Sequence, residues 1–337
     1  MSLPNVIVVG AGVAGLAAAL ELSERGLKVE VVERGRALGD GACSWLAGGM
    51  LAPWCERATT DEAVARLGAP SIDWWLRRVP GTVRRGSLVV AQPRDVADLT
   101  HFAGRTERFE WLDGERIAAL EPALAGRFRR ALFFPDEAHL DPRRALPALA
   151  EHLENRGVPV RFGVEFQWAT AKADLIVDCR GLAARDVLAD LRAVRGEMLM
   201  VRSRDVLLSR PVRMLHPRIP LYIVPRGEGV FMIGATMIES DDRGGPSVRS
   251  IVELMNAAYA LHPAFGEAEI MEVQAGLRPA FPDNLPAVRR HGRAICANGL
   301  YRHGFLLAPA LAKQVADSIF ESGLERSDAD LRQRRSA

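Results

Sequence analysis

Val6-Ile7-Val8-Val9-Gly10-Ala11-Gly12-Val13-Ala14-Gly15-Leu16, answered by Glu33, is the stretch that decides the fold. Four apolar residues in a row read as a strand buried on both faces, as in parallel sheets. Gly10, Gly12 and Gly15 follow as G-x-G-x-x-G. In that spacing the first glycine permits a tight turn and the second lets backbone N–H groups approach a pyrophosphate. The third lets the next helix pack closely on the strand. That helix is expected over residues 13–25, with Gly26 as its stop. Its free N-terminal N–H groups and positive dipole end suit a phosphate. Lys28–Val32 reads as the next strand, and Glu33 stands at its C-terminal end, where a carboxylate can accept hydrogen bonds from ribose hydroxyls. A glycine-rich turn in another α/β protein would share the triplet, but not the strand, glycines, helix and acid in this order. Glu33 would repel a 2′-phosphate, which disfavours NADP and leaves NAD and FAD open.

The 337 residues allow two domains or one large one, and 48% hydrophobic content is normal for a chain with a core. The net charge is +2, and Lys28, Lys172 and Lys313 are the only lysines. The arginines are mixed with acids along the chain, a pattern of solvated surface and not of a nucleic-acid stripe. Cys43, Cys55, Cys179 and Cys296 are scattered without C-x-x-C, so neither zinc nor a disulfide framework has support and a reducing cytosol fits. The 7 histidines are not clustered, and no metal site is expected. The apolar start lacks a basic flank and reads as strand and phosphate turn, not as a signal peptide. No uncharged apolar run is long enough to span a bilayer. A cytoplasmic protein without membrane or nucleic-acid partners is expected.

Outward from the first unit the pattern changes twice. Residues 39–56 are rich in small residues, and Ala47-Gly48-Gly49-Met50-Leu51 is too apolar for an ordinary surface loop, so a buried loop against a flat ligand is expected. A helix over residues 61–79 with Trp74 and Trp75 partly buried, a hairpin turn at residues 84–87 and a strand at 131–134 lack a βαβ rhythm and suggest an inserted domain. Asp141-Pro142 starts a helix, Asp as N-cap and Pro at the first position, and strands at 158–162 and 174–178 resume the α/β pattern. A strand at 197–201, a hairpin of 221–225 with 230–235, a helix over Val248–Leu261 and a strand at 269–275 then read as antiparallel and helix-covered. A strand at 294–297 and a helix over 304–320 close the pattern. The expected division is an α/β Rossmann-type domain from residues 1–80, 135–190 and 275–330, and a mainly antiparallel α+β domain from 81–134 and 191–274. Residues 327–337 are expected to form a frayed tail.

Three further segments carry chemistry: Tyr222-Ile223-Val224-Pro225-Arg226 with residues 233–237, Gly276-Leu277-Arg278-Pro279 with Asp283, and residues 298–309 around Tyr301-Arg302-His303-Gly304. Arg278 is expected in a Gly/Pro-flanked turn directly after a strand, and arginine suits bidentate carboxylate binding. Arg278 and Arg302 stand out from surface arginines because each lies in an apolar, glycine-containing segment.

GAGVAG with Glu33, AGGMLAPWCE, HLDPRRAL, LYIVPR with IGATM, GLRPAFPDNLP and YRHGFLLAP together resemble the D-amino-acid oxidase superfamily of flavoproteins, most closely its glycine oxidases of thiamine biosynthesis, over nearly the whole chain. The resemblance implies FAD, bound non-covalently, since Cys43 and Cys296 lack the family context for a covalent flavin. It implies that Gly10, Gly12, Val13, Ala14, Gly15, Glu33 and Arg34 hold the ADP part, with Val164 at the adenine through its backbone. Ala47, Gly48, Gly49, Met50 and Leu51 would line the isoalloxazine from one side, and Arg302, His303, Gly304, Phe305 and Leu306 from another. Tyr222 and Arg278 would bind the substrate carboxylate, Met237 would narrow the pocket and Arg302 would stand at its edge. Leu300 and His303 depart from the better-known bacterial glycine oxidases, which carry His and Asn there, and both departures bear on substrate range and reoxidation.

The implied reaction is oxidation of glycine or a similar small amino acid to its imine, with dioxygen reduced to hydrogen peroxide and the dehydroglycine supplied to the thiazole of thiamine. Thiazole synthase is the implied imine acceptor and a homo-oligomer the implied state. The cofactor performs the hard step, so no nucleophile–base set is needed. The alternatives are a D-amino-acid or sarcosine-type oxidase, a dehydrogenase passing electrons to a quinone, or a flavin module of a larger assembly.

Overall fold

The computed structural model describes residues 4–168, 171–216 and 221–335. One sheet has six strands in the order Ala287–His291, Ala294–Asn298, Leu175–Asp178, Asn5–Val9, Lys28–Val32, Val160–Arg161. Its pairings are parallel except at the Ala287–His291 edge. Asn5–Val9 sits inside the sheet because it is apolar on both faces. Val6 and Val8 join a core with Leu16 and Leu20 of the helix Val13–Glu24, while Ile7 and Val9 face a second cluster with Ile176. The last helix, Gly304–Arg335, and the helix Pro142–Asn155 pack on Val13–Glu24 from outside. Asp141 caps Pro142–Asn155 by accepting from the Arg143 N–H, as the Asp-Pro pair predicts.

The other sheet has nine strands and is mainly antiparallel, with one parallel pairing of Val212–Leu215 on Ser87–Ala91. Its longest pairing is Arg192–Arg202 against Glu269–Ala280. The amphipathic helix Val248–Leu261 covers one face, burying Leu254, Ala258 and Leu261 against Phe231 and Phe265. The opposite face presents Met198, Met200 and Met232, packed with Tyr222 and with Leu46 of the loop that follows the first βαβ unit. That contact joins the second sheet to the loop of the first domain. The α/β architecture with a mainly antiparallel second sheet is the one expected from sequence.

Several elements depart from expectation. The helix expected over 61–79 is two helices, Glu62–Gly68 and Ser71–Arg78, because Pro70 cannot continue the first. Trp74 and Trp75 are buried, not half-buried. Residues 84–87 turn no hairpin: Ser87–Ala91 pairs with Arg130–Phe134 and Val212–Leu215, and Val83 makes an isolated bridge to His139. The strand expected at 269–275 runs on to Ala280, across the expected domain boundary, so Arg278 lies within a strand opposite Val194 and not in a turn. Gly276 and Pro279 read as breakers. Among the described residues this strand has only Arg192–Arg202 as ladder neighbour, and at such an edge the missing N–H of a proline is tolerated. The last helix, expected to end at residue 320, continues to Arg335, and residues 336 and 337 of the expected tail lie outside the described residues. The apolar stripe ends near Ile319, but no proline interrupts the residues beyond it, many of them good helix formers.

Candidate active site

The nucleotide end is built as the glycine spacing requires. Gly10 has φ +105, and a Cβ there would lie 2.7 Å from the Cys179 carbonyl oxygen. A Cβ on Gly15 would overlap the Gly10 carbonyl oxygen, so the helix seats directly on the turn. Gly12 is the N-cap of Val13–Glu24 and brings no side-chain cap, and a Cβ there would meet only the Ser44 hydroxyl at 3.5 Å. Val13 is buried and Ala14 half-buried in that first turn, and the Val13 N–H reaches Ser44 Oγ at 3.4 Å. Glu33 accepts from the Ala11 N–H at 2.7 Å and the Gly35 N–H at 2.8 Å, one on each oxygen, which leaves each a lone pair outward. Val164 donates its N–H to the Glu33 carbonyl at 2.9 Å and packs toward Val9 and Val32. Only its carbonyl and side chain remain for a ligand there. Arg34 is exposed beside Glu33. A helix start without a side-chain cap from its own N-cap residue, a cradle that Cβ atoms would fill and a carboxylate held at the turn fit an adenine dinucleotide.

The apolar loop forms a short 3₁₀ segment, Cys43–Leu46, and a two-residue strand, Met50–Leu51, paired with Ala138–His139. Arg226, which closes the LYIVPR segment but has no role in the sequence reading, pins it. The buried guanidinium donates to the carbonyls of Ala47 at 3.2 Å, Gly48 at 2.9 Å and Leu140 at 3.1 Å, with Asp141 Oδ1 3.7 Å away. A Cβ on Gly48 would lie 2.8 Å from the Tyr222 ring, so this glycine lets loop and second sheet approach. Burial pushes the Tyr222 phenol up from its ordinary range, and the Arg278 guanidinium opposes the shift.

Arg278 donates through Nη1 to the Thr236 carbonyl at 3.0 Å, and its guanidinium fills the space that Gly196 leaves by lacking a side chain. The Tyr301 N–H donates to the Pro279 carbonyl at 2.9 Å, which ties the Arg302 turn to the Arg278 strand. Arg302 Nη1 and the Tyr301 hydroxyl meet Met237 Sδ at 3.3 and 3.5 Å. Tyr222, Arg278, Arg302 and Met237 thus gather from four segments at the junction of the two sheets. Met237, expected to narrow a pocket, stands 43% exposed on the lining of a cleft of about 870 Å³, shared with Thr59, Arg213, Leu285, Tyr301 and Arg302. Gly304 opens the last helix, and Phe305 and Leu306 are buried behind it. The Phe305 carbonyl accepts from Trp75 Nε1 at 2.6 Å.

Glu56 and Arg213 are the residues that sequence reasoning missed. Glu56 ends the quoted AGGMLAPWCE segment, and its charge after an apolar run is the one signal available. Burial would raise its carboxyl, but the Arg302 and Arg213 guanidiniums bring it down to about 2. Arg302 Nη2 lies 2.8 Å from Oε2, and Arg213 Nη1 lies 3.2 Å from Oε1. His303 Nδ1 is 3.9 Å from Oε2, and burial pushes the imidazole down to about 4, so it is neutral near pH 7. His139 is likewise buried and lowered to about 4, so these two histidines are core groups and not surface ones. Leu300 is buried in the first domain's core. The described residues hold no group of His, Cys, Asp and Glu able to bind a metal. None of their helices is long and apolar enough to cross a membrane.

Comparison with known proteins agrees with this geometry. The FAD dependent oxidoreductase (DAO) family matches residues 5–318. A Rhizobium etli protein provisionally named thiamine biosynthesis oxidoreductase ThiO is 58% identical over 313 residues, covering 93% of this chain and 95% of its own. The bifunctional protein ThiO/ThiG of Trichormus variabilis is 29% identical over 94% of this chain and 53% of its own. The crystal structure of glycine oxidase from Geobacillus kaustophilus superposes with TM-score 0.78 at 28% identity, covering 94% of each chain. With the nucleotide cradle, the apolar loop and the arginine-lined junction in place, the chain belongs to the DAO family of FAD-dependent oxidoreductases.

Proposed function

We propose that this enzyme oxidises glycine, or an amino acid nearly as small, to its imine in the service of thiamine biosynthesis. One observation carries the reading. Arg302 and Arg213 face Glu56, and Arg226 faces Asp141, but among the described residues no carboxylate pairs with Arg278. An arginine fixed in a strand beside an apolar loop, without a counterion of its own, suits the carboxylate of a substrate. Its similarity to glycine oxidases and to ThiO proteins supports the substrate class.

The resemblance and the positions of the residues support the following roles. Gly10, Gly12, Val13, Ala14, Gly15, Glu33, Arg34 and Val164 hold the ADP part of FAD. Residues 47–51 and 302–306 line its ring. Arg278 forks onto the substrate carboxylate, Tyr222 completes that clamp, Met237 bounds the cleft and Arg302 closes its mouth. FAD, held non-covalently, would supply the two-electron acceptor for converting the amine to its imine with loss of the Cα and N hydrogens, and dioxygen would be the terminal acceptor, giving hydrogen peroxide. The neutral His303 adds no positive charge beside the two arginines. The imine, dehydroglycine when the substrate is glycine, passes to thiazole synthase, a step supported by relatives that carry both names in one chain. A homo-oligomer is the proposed state, measured by light scattering.

The test is a peroxide assay across glycine, sarcosine, D-alanine and D-proline, with anaerobic reduction of the flavin followed separately. Glycine should be turned over, and acid should release the flavin. Turnover of D-alanine or D-proline without glycine would move the enzyme to its D-amino-acid relatives. Slow reoxidation by air with fast reoxidation by quinones would make it a dehydrogenase.

A further inference from the structure

Glu56 is held from two sides by unequal partners. Arg213 comes from the second sheet, on Val212–Leu215, and is 5% exposed. Its guanidinium lies over Phe102, Nη1 reaches Glu56 Oε1 at 3.2 Å and Cys55 Sγ at 3.8 Å, and the buried Nε has no partner. Arg302 comes from the turn before the last helix and stays at the rim, where Nη2 also donates to Thr59 Oγ1 at 2.7 Å. Between Arg302 and Glu56 Oε2 the 2.8 Å contact is an ion pair without hydrogen-bond alignment, so it works by charge.

We propose that Arg213 and Glu56 are positioning residues for Arg302: Arg213 keeps the Glu56 carboxylate charged and in place, and that carboxylate keeps the Arg302 guanidinium at the mouth of the cleft. The inference rests on the reading of Arg302 as the residue closing the substrate pocket. Its logic is that of buried charges. A lone guanidinium at the Arg213 position would be uncompensated, and removing one partner of such a pair costs far more than the pair contributes. Glu56 is faced by Arg213 from the second sheet and by Arg302 and His303 from the turn before the last helix. Tyr222, Glu137 and, on its own helix, Cys55 also lie within its reach. Burial pushes its carboxyl up, and the Arg302 and Arg213 guanidiniums, with His303, pull it down. Without Arg213, Arg302 and His303 are left to oppose burial.

The test uses the FAD-loaded enzyme and the variants Arg213→Gln, Arg213→Lys, Glu56→Gln, Arg302→Ala and the double variant Glu56→Gln/Arg302→Ala. Carboxyl ¹³C NMR of glutamate-labelled protein, with the Glu56 signal assigned by its loss in Glu56→Gln, follows the titration without any substrate. In wild type Glu56 should not titrate above about pH 4. In Arg213→Gln its midpoint should rise by roughly one pH unit or more, and Arg213→Lys should restore most of the difference. The glycine KM of Arg213→Gln and Glu56→Gln should rise roughly tenfold, with kcat within about threefold, as for an interaction that serves binding. Glu56→Gln should add nothing to Arg302→Ala, since the first acts through the second. An unmoved Glu56 titration in Arg213→Gln overturns the proposal, as do Glu56→Gln and Arg302→Ala effects that multiply. Should Arg213→Gln fail to fold, the Glu56–Arg302 cycle decides. Should wild type oxidise no amino acid, the functional reading falls, while the NMR result still decides the Arg213–Glu56 pair.

Discussion

Replacing Arg278 by alanine removes a cation that pairs with no carboxylate among the described residues. Its strand is paired along its length with Arg192–Arg202, its Nη1 is fixed by the Thr236 carbonyl at 3.0 Å, and its guanidinium fills the gap beside Gly196. The position is therefore set before substrate arrives. Losing one partner of a desolvated charge pair costs about 2–5 kcal/mol. At tenfold per 1.4 kcal/mol, Arg278→Ala should lower kcat/KM by roughly thirtyfold to several thousandfold. Arg278→Lys should recover only part, because an ammonium lacks the fork. Gly196→Ala provides an independent route to the same site: its Cβ would overlap the guanidinium, so it should reproduce much of the Arg278→Ala loss with Arg278 still present. The assay is steady-state peroxide formation with flavin content and melting temperature measured on the same samples. Both variants should keep their flavin and most of their stability. Loss of FAD or unfolding in Arg278→Ala, with the glycine constants of the surviving enzyme unchanged, would refute the assignment and move the carboxylate site toward Arg302.

Other outcomes follow from the same geometry. Gly15→Ala should abolish FAD binding and lower the melting temperature, because its Cβ has no space beside the Gly10 carbonyl. Gly48→Ala should disturb Tyr222, 2.8 Å from the new Cβ, and so raise the glycine KM more than it lowers flavin content. The pH dependence of stability has two opposed parts. His303 and His139 are lowered to about 4 from 6.5, so the unfolded chain takes up protons first, and stability should fall as pH drops from 6.5 toward 4. Glu137 is raised to about 8 from 4.5, so the unfolded chain ionises first, and stability should fall as pH rises from 4.5 toward 8. Glu137→Gln keeps an acceptor for the Cys55 N–H, which now donates to Oε1 at 2.7 Å, and should flatten the alkaline slope in thermal melts across that range.

What was legible in the sequence is what depends on neighbours along the chain. The first βαβ unit could be read because a strand, a phosphate turn, a helix and Glu33 follow one another within one segment, each with its own local signal. The Asp-Pro helix start and the amphipathic Val248–Leu261 were readable for the same reason. Where local signals misled, long-range pairing had overruled them: Arg278 lies in a strand, despite Gly276 and Pro279, because Arg192–Arg202 pairs with it throughout.

The charge network at the cleft was not legible, because its partners are far apart in the chain. Arg213 and Glu56 are 157 positions apart, and Arg226 meets the Gly48 carbonyl across 178. In a chain with arginines spread throughout, nothing local marks which of them is buried against a carboxylate. The choice is made when two sheets close on a loop, since only then does water leave and each charge there need a partner. The sequence by itself determined that a nucleotide cradle and a second, antiparallel sheet would form. Only the tertiary structure decided that Glu56 would pair with Arg213 and Arg302, while Arg278 met the Thr236 carbonyl and, among the described residues, no carboxylate.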